Sequence, residues 1–296
     1  MKDSFSTYHP VVNLLFFVCV LTLSMVLMHP VCLGISFVAA FAYALYINGK
    51  KTLRFGLLFM LPMLLITALI NPAFRHEGAT ILAYLPGGNP LTLESMLYGL
   101  AAAVMLLAVI NWFSCVNAVM TSDKFVYLFG RVIPALSLVL SMSLRLVPRF
   151  KAQIKAISAA QSCVGRDVSN GGVLARARHG LRILSIMVTW AFENAIETAD
   201  SMKSRGYGLA GRTAFSVFRF DARDGAALMT LLALAAYVIA GSVSGGLAFR
   251  YYPTLKAGAL NAFTVSLFMA YAALCVLPLI LNINEDAKWK AIKSTI

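Results

Sequence analysis

The sequence predicts an all-α polytopic membrane protein with about six transmembrane helices and a cytoplasmic module of amphipathic coupling helices. Of its 296 residues, 60% are hydrophobic and only 12% are charged, which is outside the range of soluble globular proteins. Apolar runs of about 20 residues recur, and a helix needs that length to cross the hydrocarbon core. The net charge is +13, but the basic residues form no stripe with interleaved aromatic residues, so no nucleic-acid partner is expected.

Six apolar segments are long enough, or nearly so, to cross a lipid bilayer. Each is expected to be helical, because a backbone in hydrocarbon must satisfy its own hydrogen bonds. The predicted spans are Val11 to Met28, Val31 to Ile47, Phe55 to Ile70, Leu93 to Val119, Gly225 to Val243 and Leu260 to Leu281. Only His29 and Pro30 separate the first two, which predicts either a tight hairpin or one imperfect span, with a solvated imidazole at His29. Glu94 is expected to cap the first turn of the fourth span, where the helix dipole favours a carboxylate.

The distribution of lysine and arginine predicts the orientation. Basic residues follow the second and last spans, whereas the loop between the third and fourth spans holds only Arg75. Both termini are therefore predicted to be cytoplasmic. Residues 121–223 form the predicted cytoplasmic module, between membrane segments 1–120 and 224–296, and the part from Arg145 to Arg223 carries thirteen basic against five acidic residues.

One apolar stretch, Phe125 to Pro148, does not fit a span, because it holds Arg131 and a crossing there would place the basic module outside. It is expected at the inner interface or as a partial insertion. Beyond it, amphipathic spacing predicts two helices, Arg149 to Val164 and Val173 to Arg205. The second shows apolar residues at alternating steps of three and four, which predicts a packing seam against the membrane part of the protein. The predicted seam includes Leu174, Leu181, Leu184, Val188, Ala195 and Met202.

Motifs for catalysis and for cofactor or metal binding are absent from the sequence. It contains no phosphate loop, no HExxH, no GxSxG and no acidic cluster, so neither ATP binding nor bond cleavage is expected of this chain. The cysteines form no CxxC pair and are expected to be small buried hydrophobic residues. They are Cys19, Cys32, Cys115, Cys163 and Cys275.

The two predicted cytoplasmic helices end alike, in the sequences CVGRD (residues 163–167) and KSRGY (residues 203–207). In each, a glycine stands where a left-handed residue ends a helix, and an arginine lies within one residue of it. Arg205 has two possible roles. A cation in the last turn offsets the helix dipole, and a guanidinium on an exposed helix end can also bind a carboxylate of a partner in a forked geometry.

These stretches resemble the transmembrane T component of energy-coupling-factor (ECF) transporters, which import micronutrients into prokaryotes. The resemblance is carried by PALSLVLSMSLRLVPRFKAQIKAISAAQSCVG (residues 134–165) and ENAIETADSMKSRGYG (residues 193–208). It implies a plasma-membrane subunit that couples two ABC-type ATPases to a separate S component, the chain that binds a vitamin or metal ion. It also implies that the helix ends dock on the ATPases. The docking residues carried over are Ser204, Arg205, Gly206, Gly165 and Arg166.

The first helix end departs from the pattern of this family. Val164 stands where an arginine would precede Gly165, and Arg166 follows one position later. Either Arg166 substitutes from that position, or the first docking site rests on backbone and apolar contacts alone. The alternative interpretation is a stand-alone channel or secondary transporter, and a third interpretation is a membrane-embedded enzyme. Both would place polar or titratable residues together at one depth of the membrane, and the predicted spans are almost free of them.

Overall fold

The computed structural model describes residues 3–75, 78–84, 90–166, 172–207, 218–258 and 261–295. The chain divides into two compact units. Unit 1 consists of Met1–Lys124 with Phe218–Ile296, and unit 2 of Phe125–Val217. Residues 208–217, which belong to the predicted cytoplasmic module, lie outside the described residues.

Unit 1 contains the predicted membrane spans, and the all-α polytopic class is confirmed. A short 3₁₀ turn, Phe5–Thr7, precedes the first helix. The helices are α1 Pro10–Val26, α2 Pro30–Asn48, α3 Lys50–Phe55, α4 Leu61–Phe74, α5 Leu93–Val119, α9 Ala222–Val243 and α10 Ala262–Thr295. The π-helical turn Gly56–Met60 joins α3 to α4 into one continuous span. In the described part of the chain, five helices are long and apolar enough to cross a membrane, and α1 is a shorter apolar helix.

The first two helices start with the same cap. Nδ1 of His9 accepts a hydrogen bond from Val11 N, and Nδ1 of His29 accepts one from Val31 N, each at 3.3 Å. Proline occupies the first helical position in both cases, where its missing N–H costs nothing. The expectation of a solvated His29 is wrong, because the ring is buried between Phe249 and Phe268.

Two small antiparallel hairpins connect helices of unit 1. Strand β1, Ile81–Tyr84, pairs with β2, Pro90–Thr92, and β3, Phe249–Arg250, pairs with β4, Lys256–Ala257. Thr92 is the N-cap residue of α5, since its hydroxyl accepts a hydrogen bond from Ser95 N, and Glu94 lies in the first turn as predicted. The buried Glu94 carboxylate also accepts hydrogen bonds from the amide and the hydroxyl of Thr80, so it holds the preceding loop against the helix.

A polar network lies inside the apolar bundle and joins four helices. Ser24 of α1 shares a 2.6 Å hydrogen bond with Ser36 of α2 and a 3.2 Å bond with Tyr271 of α10. The indole N–H of Trp112 in α5 donates to the Ser36 hydroxyl at 3.1 Å. All four side chains are buried, and in hydrocarbon such groups are tolerated only when they bind one another.

The prediction of five buried cysteines holds for three of them. Cys32, Cys115 and Cys275 are buried, Cys19 is partly exposed, and Cys163 is exposed. Cys163 is the last residue of its helix, so an apolar neighbourhood in the sequence did not produce burial there.

Unit 2 is built from helices α7 and α8, with most of α6. Their bounds are α6 Ser122–Val132, α7 Pro134–Cys163 and α8 Val173–Ser204. The predicted break before Arg149 is wrong, because α7 continues through Pro148 as one helix of 30 residues. A proline inside a helix removes one backbone hydrogen bond but does not always end the helix. The helix α7 is not among the candidate spans found in the described residues.

Loss of the polar network should destabilise unit 1. We expect Ser36→Ala to lower the free energy of unfolding by about 1–3 kcal/mol, because the indole N–H of Trp112 and the Ser24 hydroxyl lose a buried partner. Val38→Ala on the same helix is the control, since Val38 is 66% exposed and should matter little. The measurement is denaturant unfolding of the two variants in detergent micelles. Equal stability of the two would show that the network contributes nothing.

Candidate functional site

The helix ends of α7 and α8 share one backbone geometry. Gly165 and Gly206 have φ angles of 76° and 75°, in the left-handed region that glycine adopts without a steric penalty. Gly165 N donates to Ser162 O at 3.0 Å, and Arg166 N donates to Gln161 O at 2.9 Å. This pair of hydrogen bonds is the Schellman motif, which satisfies carbonyl groups that a helix end leaves unpaired.

The end of α8 repeats the pattern bond for bond. Gly206 N donates to Lys203 O at 3.0 Å, and Tyr207 N donates to Met202 O at 3.0 Å. Arg205 is the cap residue immediately before the left-handed glycine. The glycine expected from the sequence at each end is therefore present with its expected conformation.

The equivalence of the two caps shows which residues correspond. Val164 occupies the position that Arg205 occupies in the other end, and Arg166 occupies the position of Tyr207. Arg166 thus extends from the residue after the glycine, and not from the last helical turn. The two ends share a backbone but present different side chains.

The guanidinium of Arg205 lies beside a groove between α7 and α8. The groove has a volume of about 1270 Å³, and Arg205, Gly206 and Tyr207 line one end of it. Ser204 is exposed, and its hydroxyl donates to Ser201 O at 2.9 Å, which closes the last turn of α8. Arg205 is exposed, and among the described residues no carboxylate forms an ion pair with it.

Contact between α7 and α8 depends on a small cluster in the C-terminal half of α7 and the N-terminal half of α8. Ile157 of α7 packs against Ile183 and Met187 of α8, and all three are buried. Phe150 and Trp190 extend the cluster through an edge-to-face contact with ring centroids 5.6 Å apart.

A polar clamp lies next to this cluster. Nη1 of Arg149 donates to Asn194 Oδ1 at 3.1 Å, and the same guanidinium lies 5.7 Å from the centroid of the Trp190 ring. Asn194 is buried, so its amide requires the partner that Arg149 supplies. Sequence analysis missed Arg149, Asn194 and Trp190, although the apolar positions around them at helical spacing were a usable signal.

The predicted seam of α8 is not the face that packs against α7. Leu174 is 79% exposed and Val188 is 45% exposed, with Leu181 and Leu184 between these values. Ala195 is exposed and Met202 partly so, and both line the groove near Arg205. The face of α8 that packs against α7 and the predicted seam are therefore different faces, and contact of the seam with the membrane part of the protein stays a prediction.

The face of α8 that packs against α7 is rotated from the predicted seam by one residue. Ile183, Met187 and Asn194, which face α7, each precede a seam residue by one position, which is about 100° around a helix. Both faces of α8 are apolar over this length, so spacing alone could not show which one α7 covers.

Among the described residues, no group of three or more His, Cys, Asp or Glu side chains could hold a metal ion. What the geometry offers is a pair of exposed helix ends. One presents a guanidinium and a phenol, Arg205 and Tyr207, and the other an apolar side chain and a guanidinium, Val164 and Arg166. Such ends are suited to insertion into pockets on a partner protein, where a carboxylate would bind the guanidinium.

Comparison with known proteins places these features in context. A family model described as cobalt transport protein, CbiQ, matches residues 1–216. The energy-coupling factor transporter transmembrane protein EcfT of Bacillus selenitireducens is 33% identical over 112 residues, which are 38% of this chain and 42% of that protein.

Two further EcfT proteins give similar values. The one from Lactobacillus helveticus is 33% identical over 113 residues, or 38% of this chain and 39% of the relative. The one from Bacillus subtilis is 33% identical over 102 residues, or 34% and 38%. The chain therefore spans about two fifths of the length of these curated relatives.

The left-handed cap can be tested with two glycine-to-alanine substitutions that should change helix stability in opposite directions. Gly165→Ala should destabilise the end of α7 by about 1–2 kcal/mol, because an alanine at this positive φ meets its own backbone. Gly180→Ala, inside α8 with open space at its Cβ, should instead stabilise that helix by about 0.5–1 kcal/mol. Hydrogen exchange of the amides in each helix measures both changes. The same sign for both substitutions would contradict the cap.

Proposed function

The chain belongs to the CbiQ family of cobalt transport proteins, and we propose on that premise that it is the energy-coupling transmembrane subunit of an ECF-type importer. In this role it links ATP hydrolysis by two ABC-type ATPases to uptake of a vitamin or metal ion bound by a separate S component. The chain itself hydrolyses no ATP. The matched Schellman caps at two exposed helix ends support this role most directly, since the resemblance assigns docking to these ends.

The two helix ends are the proposed ATPase contacts. Arg205 would bind a carboxylate on one ATPase, with Ser204 and Gly206 completing the surface around it. At the other end, Gly165 fixes the chain direction and Arg166 supplies the charge from beyond the cap. Because Arg205 has no ion-pair partner in the described part of the chain, an acidic groove could bind it without displacing a contact.

The exposed apolar face of α8 is the proposed contact for the S component. Leu174, Leu181, Leu184 and Val188 present a continuous apolar stripe that α7 leaves uncovered. Apolar patches of this kind on a helix commonly mark an interface. Packed helices move as nearly rigid bodies, so a displacement of the helix ends would be transmitted along α8 to this face.

The family and the apolar helices place the protein in the bacterial plasma membrane as a multi-pass protein. We further propose that both termini and unit 2 lie in the cytoplasm. The excess of lysine and arginine in residues 145–223 supports this orientation.

The docking role of Arg205 predicts a graded response to substitution. Arg205→Glu should weaken ATPase binding by about 2 kcal/mol or more, because it opposes like charges in the proposed groove. Arg205→Lys should be intermediate, since a lysine keeps the charge and loses the forked geometry. Arg166→Glu should have a smaller effect of the same kind. The measurement is copurification of the ATPases with each variant, together with substrate uptake by cells.

A helix-cap role predicts a different pattern. If Arg205 only offsets the helix dipole, Arg205→Lys is silent, because a lysine serves the dipole equally well. Lys203→Glu, two residues earlier and also exposed, is the matched charge control. Normal uptake and copurification by Arg205→Glu would remove Arg205 from the docking surface.

A native cysteine makes the orientation testable. Cys163 is exposed at the end of α7, so a membrane-impermeant maleimide should label it only when the reagent reaches the cytoplasmic side. Thr254→Cys, placed in the exposed turn between β3 and β4 of a Cys163→Ser protein, should be labelled only from outside. Cys163→Ser alone is the control for background labelling. Labelling of Cys163 from outside would reverse the proposed orientation.

A further inference from the structure

The segment from Asp3 to His9 belongs to no apolar span, yet it packs on unit 1 and buries Phe5, Tyr8 and His9. Phe5 is fully buried, and its ring packs edge-to-face on Phe16 with centroids 5.2 Å apart. The Asp3 carboxylate accepts a hydrogen bond from Tyr43 Oη of α2 at 2.9 Å and another from the amide of Asn282 in α10. The segment is therefore held by side chains from three helices of the bundle.

The first set of contacts made by this segment lies where the chain passes from unit 1 into unit 2. Lys124, in the first turn of α6, is the last residue of unit 1, and α6 continues from it into unit 2. Its ammonium donates to Ser6 O at 2.6 Å and to Val119 O at 2.9 Å, and the residue is only 5% exposed. With the Asn13 amide turned to satisfy its neighbours, Asn13 Oδ1 accepts a third bond at 2.9 Å.

The buried ammonium has an electrostatic partner in the same segment. Burial lowers the pKa of Lys124 to about 8, and the negative charge of Asp3 opposes that lowering. A buried cation with this many acceptors is expensive to leave unpaired, so removal of the segment would strand it.

The second set of contacts made by this segment lies where the chain returns from unit 2 to unit 1. His9 N donates to Asp224 Oδ1 at 3.1 Å, in the capping box that starts α9. The His9 ring lies 5.3 Å from that of Phe220, and the Arg223 guanidinium lies 4.6 Å from the centroid of the Tyr8 ring. Seven consecutive residues of the segment thus reach both junctions of the inserted unit 2.

We propose that residues 3–9 form a clasp that couples the two junctions of unit 2, with Lys124 and Arg223 as the positioning residues at its two ends. The clasp couples the start of α6 to the start of α9, so that the two junctions move together. A displacement of one junction is then transmitted to the other through the helices of unit 1. The link between the junctions stands by itself. Its use in energy coupling rests on the proposed function.

The link is tested by changing one junction and measuring the other. Lys124→Met in the full chain, held in lipid nanodiscs, should speed amide hydrogen exchange at residues 218–225 by about tenfold or more, because a buried hydrogen-bonded charge is lost from the clasp. In the described part of the chain, the Lys124 ammonium binds Ser6 O, Val119 O and Asn13 Oδ1, so a purely local effect would stop at residues 3–13 and 119–124. Lys124→Arg should restore slow exchange. Lys51→Met, at an exposed lysine of α3, is the matched control.

A second variant covers the case in which Lys124→Met unfolds the protein. Arg223 is half exposed, stacks on Tyr8 and pairs with Glu285 at 3.4 Å, so Arg223→Gln should leave the bundle folded. It should speed exchange at residues 121–125 severalfold, while Arg219→Gln at an exposed arginine should not. Exchange that changes only around residue 223 would overturn the clasp.

A functional measurement separates the clasp from the proposed function. In cells, Arg223→Gln should lower substrate uptake severalfold while ATPases still copurify with the chain. If both junctions respond together in exchange but uptake is unchanged, the clasp stands and its role in coupling fails. If ATPases never copurify with the unaltered chain, the proposed function fails and the exchange result is unaffected.

Discussion

Backbone hydrogen bonding in hydrocarbon is the constraint on which unit 1 depends. An N–H or C=O group without a partner costs several kcal/mol there, because no water is present to bind it. The apolar segments therefore form helices, and the polar side chains inside them bind one another, as Ser24, Ser36, Trp112 and Tyr271 do. Such bonds fix the relative positions of four helices of unit 1, whose chain is interrupted by unit 2 between Lys124 and Phe218.

Unit 2 is constructed on a different principle. The described part of α8 has two apolar faces, and α7 covers only the one that holds Ile183 and Met187. A helix that is apolar on two sides needs two partners, or the second face remains in contact with water. The clamp of Arg149 on Asn194 and Trp190 fixes the first contact and therefore the direction of the second face relative to α7.

Sequence reasoning predicted what depends on local physics. Long apolar runs gave the spans, and glycine after a charged helix gave the caps at Gly165 and Gly206. Sequence reasoning failed where contacts with other helices decide which face of a helix, or which side chain in a turn, becomes buried. One residue separates the two apolar faces of α8, and hydropathy ranks them alike. The burial of His29 depends on Phe249 and Phe268, which lie more than two hundred residues away in the chain.

The two helix ends show how a shared backbone can carry different chemistry. The caps have the same hydrogen bonds and φ angles within one degree, so Val164 and Arg205 leave their helices in equivalent positions. Only one of these side chains is charged. At the α7 end the nearest guanidinium, that of Arg166, starts from the residue after the glycine, where the chain has already turned away from the helix axis. If one groove shape receives both ends, a carboxylate placed to meet Arg205 cannot meet Arg166 in the same geometry. Partners that dock on this chain would therefore be held unequally, even where the backbone contacts are alike.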